Sequence, residues 1–393
     1  MSTRQDRERL AVLGVGVFTN GLWDMLSIVV PLYAVGVGLN AAQIGLIVSA
    51  RSVLPALLSI HGGILMDELG TRRILLWAAA ASAALPLLFP LSSWFTVLLL
   101  LQLLLGLASG VGMAASQTWS MQTSRGMTSL LARYSIATRV GTFIGPVIAG
   151  AAWDLFGAWL AFACVALCGA GTIASTAYCN PASDGPRVSK LGGSVLVPRW
   201  EPHKQALLLA VIPAVAFVLA ASFLRNAPGA IQSSLYVVYL NGIGMSATLI
   251  GTLVAVSELS GVLGSLVAAP MERRLGSNRL VIACVAVAVL AIASTPLIGS
   301  FVLLLFLACT VRGIAQGMSQ PLMYSILSVE VPDNRHGASV GLRNAVVRLA
   351  SIITPAVMGT IAELRGIEAS FYVIGAIFLA GTGLLALAAR RIG

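Results

Sequence analysis

Long apolar runs alternate along the chain with short polar or basic stretches. Each run is long enough, as an α-helix, to cross a hydrocarbon layer roughly 30 Å thick, which takes about 20 residues. Glycine and proline inside the runs do not argue against helices, because a bilayer leaves the backbone few other ways to satisfy its hydrogen bonds. We therefore predict an all-α membrane protein with twelve transmembrane helices, called segments 1 to 12. They span residues 10–37, 43–66, 73–92, 95–119, 136–153, 157–179, 206–239, 247–270, 280–298, 301–327, 343–362 and 368–389.

Composition supports this class of protein. Hydrophobic residues make up 58% of the 393 residues, charged residues only 10%, and the mean hydropathy is +0.93. No water-soluble domain of this size carries so few charges on its surface. The chain has only 3 histidines and contains neither H-E-x-x-H nor G-x-S-x-G, so we expect no enzyme, no metal site and no cofactor.

Basic residues fall on one side of the predicted membrane. They cluster before segment 1 and after segments 2, 4, 6, 8, 10 and 12, and the opposite loops carry almost none. Because cytoplasmic loops are enriched in Lys and Arg, both termini are predicted to be cytoplasmic. Low lysine use and alanine richness favour a bacterial source, so we expect a bacterial inner membrane. The net charge of +10 then reflects topology, and we expect the lipid bilayer and no nucleic acid as a partner.

The sequence repeats itself about halfway. Residues of the first half recur in the second after a shift of 206 in segments 1 to 3 and of 209 in segments 5 and 6. This predicts two pseudo-symmetric six-helix halves, residues 1–179 and 206–393, joined by a polar cytoplasmic linker at 180–205. Repeats of this kind place a substrate site near the bilayer midplane, between halves that rock to alternate its exposure. The matching pairs include Asn20 and Asn226, Tyr33 and Tyr239, Gly38 and Gly244, Gly45 and Gly251, Gly70 and Gly276, Pro146 and Pro355, Gly150 and Gly359, Gly157 and Gly366, and Phe162 and Phe371.

The stretch GGILMDELGTRR, residues 62–73, resembles the signature between helices 2 and 3 of the major facilitator superfamily, usually written G-x-L-x-D-R-x-G-R-R. Glu68 replaces the first arginine of that pattern. The resemblance, which extends over the whole twelve-helix chain, implies transport by alternating access. It also implies a latch that closes the cytoplasmic side, in which Asp67 meets the positive N-terminus of a helix. An alternative is that the two arginines only set topology. The latch residues are Gly63, Asp67, Gly70, Arg72 and Arg73.

A second stretch, GTFIGPVIAG at residues 141–150 in segment 5, resembles the pattern of the drug and proton antiporter branch of that family. Gly141, Gly145 and Ala149 recur every four residues, so another backbone can approach this face closely, and Pro146 favours a kink before Gly150. The resemblance implies efflux, and a plain packing seam is the alternative. A third family pattern, with an arginine on segment 4, is missing because Gln102 stands there.

We single out five charged residues inside the predicted segments, where charge is costly and marks candidate function: Asp24, Arg51, Arg225, Glu258 and Arg312. Spacings of three or four residues place polar side chains on one face of segment 1 and on one face of segment 10. The charges are candidates for a substrate cavity, and the alternative is that they serve only to neutralise one another. The cavity candidates are Asn20, Trp23, Asp24, Arg51, Arg225, Asn226, Glu258, Arg312, Gln316 and Gln320.

Two functions fit this set of charges. A carboxylate deep in a membrane can change protonation as its hydration and its distance from an arginine change, so Asp24 and Glu258 are candidates for proton coupling. This favours proton-coupled efflux of a small organic or amphiphilic compound by a monomer. Three arginines against two acids favour transport of an organic anion instead. A non-transporting membrane sensor is the remote alternative.

Overall fold

The computed structural model describes residues 2–124, 127–178, 208–331 and 336–392, and within these ranges every regular element is helical. The α-helices are Ser2–Gly36, Ala41–Leu69, Thr71–Ala84, Phe95–Ser124, Thr128–Ala177, Pro213–Gln232, Leu235–Gly242, Ala247–Leu275, Ser277–Ala293, Thr295–Ile298, Val302–Glu330, His336–Arg365 and Ile367–Ile392. Short 3₁₀ turns cover Leu85–Leu91 and Leu209–Val211.

The predicted all-α membrane fold is confirmed. In the described ranges, 10 helices are long and apolar enough to cross a membrane. The helical stretch Thr128–Ala177 contains both segment 5 and segment 6. Its backbone leaves the helical conformation between them, at Gly157 (φ 72°, ψ −159°). Segment 9 lies on the shorter helix Ser277–Ala293. All twelve apolar runs are thus accounted for by helices.

Segment 7 differs from the prediction, because it is interrupted by a turn at residues 233 and 234. The Ser234 hydroxyl donates a hydrogen bond to the Ala230 carbonyl (2.7 Å), and the Ser233 hydroxyl donates to the same carbonyl (3.2 Å). Serine side chains that bond back to the preceding turn compete with the backbone ladder and bend helices. Hydropathy does not reveal such a break, since serine occurs in regular membrane helices as well.

Paired turns and aromatic contacts show that the repeat is structural. Gly70 and its counterpart Gly276 both end a helix with positive φ (91° and 78°), a conformation that suits glycine because it has no Cβ. The rings of Tyr33 and Phe162 meet edge to face with centroids 5.4 Å apart, and those of Tyr239 and Phe371 do so at 5.6 Å. The two halves therefore share turns and contacts as well as sequence.

Contacts divide the chain into two compact units. The first contains residues 1–37, 50–199 and 246–255, and the second contains 38–49, 200–245 and 256–393. The start of segment 2 thus groups with the second unit, and the start of segment 8 with the first. The predicted linker, 180–205, lies outside the described residues, so the predicted borders at 179 and 206 stay predictions.

Glycine brings helix backbones into contact inside each unit. A Cβ on Gly106 of segment 4 would overlap the Arg51 carbonyl oxygen of segment 2, and a Cβ on Gly313 of segment 10 would overlap the Ser257 carbonyl oxygen of segment 8. Residues 51 and 257 are a repeat pair, so both units use the same joint. At this joint a glycine of one helix lies against the backbone of a polar or charged residue of the other, which is Arg51 in the first unit and Ser257 in the second.

We expect Gly141→Ala to destabilise the protein, because a Cβ there would overlap the Val17 carbonyl oxygen of segment 1. Overpacking of this kind costs about 1–3 kcal/mol. Gly112→Ala is the matched control, since its Cβ would meet only the Ala78 side chain at 3.8 Å and alanine is the better helix former by up to about 1 kcal/mol. Thermal unfolding in detergent checks the pair, and equal midpoints for both variants would contradict the expectation.

Candidate substrate cavity

In the first unit, the side chain of Arg51 packs against Trp23. This residue is only 6% exposed, and its guanidinium carbon lies 3.5 Å from the centroid of the Trp23 ring. The same guanidinium donates a hydrogen bond to the main-chain carbonyl of Trp23. Asp24 is half-buried on the next position of segment 1. The structure therefore brings Trp23 and Arg51 together, as a cation over an indole face, beside the candidate proton carrier.

Asn20 takes a local role in the first unit. Its amide nitrogen donates to the Gly16 carbonyl of the same helix (2.8 Å), and the Ser27 hydroxyl donates to the Asp24 carbonyl (2.6 Å). Both bonds stay within segment 1. The polar face predicted for this segment is present, with part of its hydrogen-bonding capacity used by the helix itself.

In the second unit, Arg312 is the most deeply buried of the candidates, at 1% exposure. Its guanidinium donates to the Gln232 side-chain oxygen and the Ser257 hydroxyl, and its Nη1 donates to Gln316 Oε1 at 3.0 Å. All three partners are neutral. Its Nε–H has no hydrogen-bond acceptor within the described part of the chain, and no carboxylate there lies within 4 Å of the guanidinium. Arg312 is thus a buried cation solvated by dipoles.

Arg225 of segment 7 is half-buried, and it hydrogen-bonds to the face of segment 10 that carries Gln316 and Gln320. Its Nε donates to Ser319 Oγ (2.8 Å), and its Nη2 donates to the Gln316 carbonyl (2.8 Å) and to Gln320 Oε1 (3.1 Å). The Gln316 amide in turn donates to the Arg225 carbonyl (3.3 Å). Because Gln316 also accepts from Arg312, it links the two arginines. The predicted stripe on segment 10 therefore connects two guanidinium groups.

Arg343 is a further buried cation that the sequence analysis did not include. It is 3% exposed, its Nη1 donates to the Tyr324 hydroxyl (3.1 Å), and its guanidinium lies 4.7 Å from the centroid of that ring. Arg343 and Glu258 are both close enough to interact electrostatically with Arg225. The apolar run of segment 11 begins at Arg343, whereas the helix begins at His336, so this side chain lies two turns inside the helix.

Asn226 and the segment 2–3 loop bind neighbouring helices. The Asn226 amide donates to the Val347 carbonyl (3.0 Å) and to Ser351 Oγ (2.7 Å), which fixes segment 7 to segment 11.

In the loop between segments 2 and 3, Arg72 donates to the Thr176 carbonyl (3.0 Å) at the end of segment 6. The surroundings of Gly63 and the side chain of Asp67 lie outside what the structure describes, so the latch role stays a prediction. Gly70 forms the turn of this loop, and Arg73 is exposed.

The segment 5 motif packs against two different helices. Gly141 and Gly145 lie on the backbone of segment 1, where Cβ atoms would overlap the carbonyl oxygens of Val17 and Gly21. The other end of the motif lies on the start of segment 8, where a Cβ on Gly150 would overlap the Ala247 carbonyl oxygen and a Cβ on Gly251 would overlap that of Pro146. The small residues therefore allow segment 5 to contact both helices closely.

Solved structures with a similar fold are transporters. A variant of the nucleoside transporter NupG shares 18% identity (TM-score 0.74, 97% of this chain and 98% of that one). A bacterial homolog of the human lysosomal transporter Spinster shares 16% identity (TM-score 0.76, 98% of this chain and 97% of that one). A variant of the peptide transporter POT also shares 16% identity (TM-score 0.76, 98% of this chain and 94% of that one). At these identities the likeness concerns the fold alone.

Sequence comparison gives the family. No curated protein sequence matches the chain significantly. The sequence profile of the Major Facilitator Superfamily matches residues 12–225 and again residues 218–392, so that each match covers one half of the internal repeat. The fold and the family are both those of multi-pass membrane transporters. With twelve helical segments in two repeated halves and a family match along nearly its whole length, the chain belongs to the Major Facilitator Superfamily.

Proposed function

We propose that the protein is a secondary active transporter that carries a small organic anion by alternating access. The observation that carries this proposal is the buried guanidinium of Arg312, which has three neutral partners and no carboxylate within 4 Å among the described residues. A buried charge costs several kcal/mol unless an opposite charge compensates it. A bound substrate anion supplies that compensation.

The charge balance around Arg312 supports an anionic substrate. Away from the ends of their helices, segments 7 to 12 carry arginines at 225, 312, 343 and 348 and one acid, Glu258. One carboxylate can neutralise only one of four cations. Arg225 is half-buried and its partner Gln320 is exposed, so both are suited to the first contact with a substrate, whereas the buried Arg312 adds its positive charge behind them. Guanidinium groups also match the planar geometry of oxyanions.

Proton coupling is a further part of the proposal. Asp24 and Glu258 are the acids in the middle of the segments, and each lies on a helix that bears candidate cavity residues. Protonation of either acid makes the interior more positive, which favours an anion. We place the protein in a bacterial inner membrane with both termini in the cytoplasm, since the basic loops lie at one end of the segments.

Ligand-induced stabilisation of the purified protein tests the substrate class. We expect benzoate, phenyl phosphate and benzenesulfonate to raise the thermal midpoint more than the matched neutral benzamide or the cationic benzamidine. A ligand at 100 times its Kd stabilises by about 2.7 kcal/mol. Uptake of a stabilising compound by proteoliposomes then separates a carrier from a sensor. Strongest stabilisation by benzamidine would contradict the anion proposal.

Proton-coupled efflux of an amphiphilic compound is the second candidate function. The observation that favours it is the segment 5 motif, whose glycines lie directly on the backbones of segments 1 and 8. A helix that contacts both neighbours so closely can restrict leakage while the carrier changes state. Exchange of a neutral or cationic compound for protons in proteoliposomes would favour this candidate over anion transport.

A further inference from the structure

Two carboxylates that the sequence analysis did not single out bind the first turns of segments 8 and 2. Asp154, at the end of segment 5, accepts hydrogen bonds from the backbone N–H groups of Ala247 (2.9 Å) and Thr248 (2.8 Å), and from the Thr248 hydroxyl (2.6 Å). Glu363, at the end of segment 11, accepts one from the backbone N–H of Ala41 (3.1 Å). Ala41 and Ala247 are each the first residue of their helix.

The two contacts are copies of one another. The shift of 206 that relates segments 2 and 8 carries Ala41 onto Ala247, and the shift of 209 that relates segments 5 and 11 carries Asp154 onto Glu363. Each contact joins a segment of one half of the repeat to a segment of the other half, and the two residues of each contact lie in the same compact unit. The sequence conceals the pair, because an aspartate in one half corresponds to a glutamate in the other.

Backbone packing beside the carboxylates is duplicated as well. Close to each of them, glycines of both helices face carbonyl oxygens of the partner helix so closely that a Cβ would overlap them. The Ser49 hydroxyl also donates to the Ile352 carbonyl (2.6 Å) along the segment 2 and 11 pair. The four glycine contacts are Gly150 with Ala247, Gly251 with Pro146, Gly359 with Ala41 and Gly45 with Pro355.

Neither helix needs a distant carboxylate to begin, because each already has a local cap. Asn40 and Gln43 exchange side-chain and backbone hydrogen bonds at the start of segment 2 (2.9 and 3.1 Å). At the start of segment 8, Ser246 Oγ accepts from the Leu249 N–H (3.2 Å). Carboxylates are favourable beside helix N-termini, where N–H groups lack partners and the dipole is positive. The additional acceptors therefore join one segment to another.

We propose that Asp154 and Glu363 form a duplicated tether that holds the starts of segments 8 and 2 against the ends of segments 5 and 11, and that this tether releases during the transport cycle. Thr248 is half-buried and Glu363 is exposed, so water can take over the hydrogen bonds when the helices part. Hydrogen bonds between backbone N–H groups and water-accessible carboxylates can break and form again repeatedly, because water replaces either partner when the helices separate. The tether lies at the end of the segments that is predicted to face away from the cytoplasm.

Distance measurements at this end of the molecule test the tether without any substrate. Nitroxide labels are placed by Ser93→Cys and Ser300→Cys, in exposed loops at the same end, after the native cysteines have been replaced. We expect Asp154→Asn combined with Glu363→Gln to raise the ratio of long to short label distances about tenfold, which corresponds to ~1.4 kcal/mol. Asp154→Asn alone should shift the ratio more than Glu363→Gln alone, because both oxygens of Asp154 accept hydrogen bonds, whereas Glu363 accepts a single bond that the amide oxygen of glutamine can still accept.

Matched variants separate the tether from general effects of charge. Glu368→Gln removes an exposed carboxylate at the same end, and it should leave the distances unchanged. Thr248→Val removes only the hydroxyl contact, and it should give a small shift in the same direction, which keeps the test available if the double variant fails to fold. Unchanged distances in folded Asp154→Asn and Thr248→Val proteins, or an equal shift in Glu368→Gln, would overturn the proposal. The anion proposal would be unaffected, since no ligand is present.

Discussion

Replacing Arg312 with glutamine is expected to abolish stabilisation of the protein by anions while the protein remains folded. Glutamine keeps a hydrogen-bonding group near Gln232, Ser257 and Gln316, and it removes a buried charge that is costly without an anion. We expect the apparent affinity for benzenesulfonate to fall by at least tenfold, about 1.4 kcal/mol. Thermal shift titrations of the variant and of the unmodified protein measure both quantities together.

Two further substitutions sharpen the Arg312 experiment. Arg312→Lys keeps the charge but loses the planar fork, so a smaller loss of affinity is expected. Arg365→Gln removes an exposed arginine at the end of segment 11 and should leave the response to anions intact. If Arg312→Gln lowers the thermal midpoint strongly and retains the full response to benzenesulfonate, Arg312 has a structural role and the anion proposal loses its main support.

Asp24→Asn is expected to remove the pH dependence of anion affinity. Protonation of Asp24 removes a negative charge from the membrane interior, so the unmodified protein should bind an anion more tightly as the pH falls. Linkage of binding to a single proton changes the affinity by at most about tenfold per pH unit. Benzenesulfonate is a suitable probe because its own charge does not change between pH 5.5 and 8.5.

The companion variant for Asp24 is Glu258→Gln, which tests the other candidate proton carrier. We expect it to retain most of the pH dependence, because the proposal assigns the proton to Asp24. An Asp24→Asn protein with the original pH profile would move the proton role to Glu258. A rise of affinity with increasing pH would instead favour exchange of the ligand for protons.

Much of the fold could be predicted because membrane helices obey a simple physical rule. An apolar run of sufficient length must be helical in lipid, and the repeat of residues such as Tyr33 and Phe162 indicated two related halves before any contact was known. Helical spacing also placed Gln316 and Gln320 on one face of segment 10 with Arg312, and in the structure Arg225 bonds to that face. Local periodicity was sufficient for these features.

The remaining features depend on where a helix ends and which neighbour it contacts. Arg343 escaped the sequence analysis because hydropathy places the border of segment 11 at that residue, whereas the helix continues beyond the apolar run to His336. Asn226 was predicted to line a cavity, and its amide is bonded to Val347 and Ser351. Spacing gives the face of a helix but does not identify the helix opposite it.

The repeated joint between paired helices has the same backbone packing in both halves but different chemistry. Gly106 lies against the backbone of Arg51, and Gly313 lies against that of Ser257, its repeat counterpart. In the first half the guanidinium belongs to the residue facing the glycine, whereas in the second half it belongs to Arg312, directly before the glycine, and the facing serine is its hydrogen-bond partner. The same backbone joint thus carries its cation on one helix in the first half and on the partner helix in the second half. The two halves are alike in backbone packing, and they differ in the side chains that this packing positions.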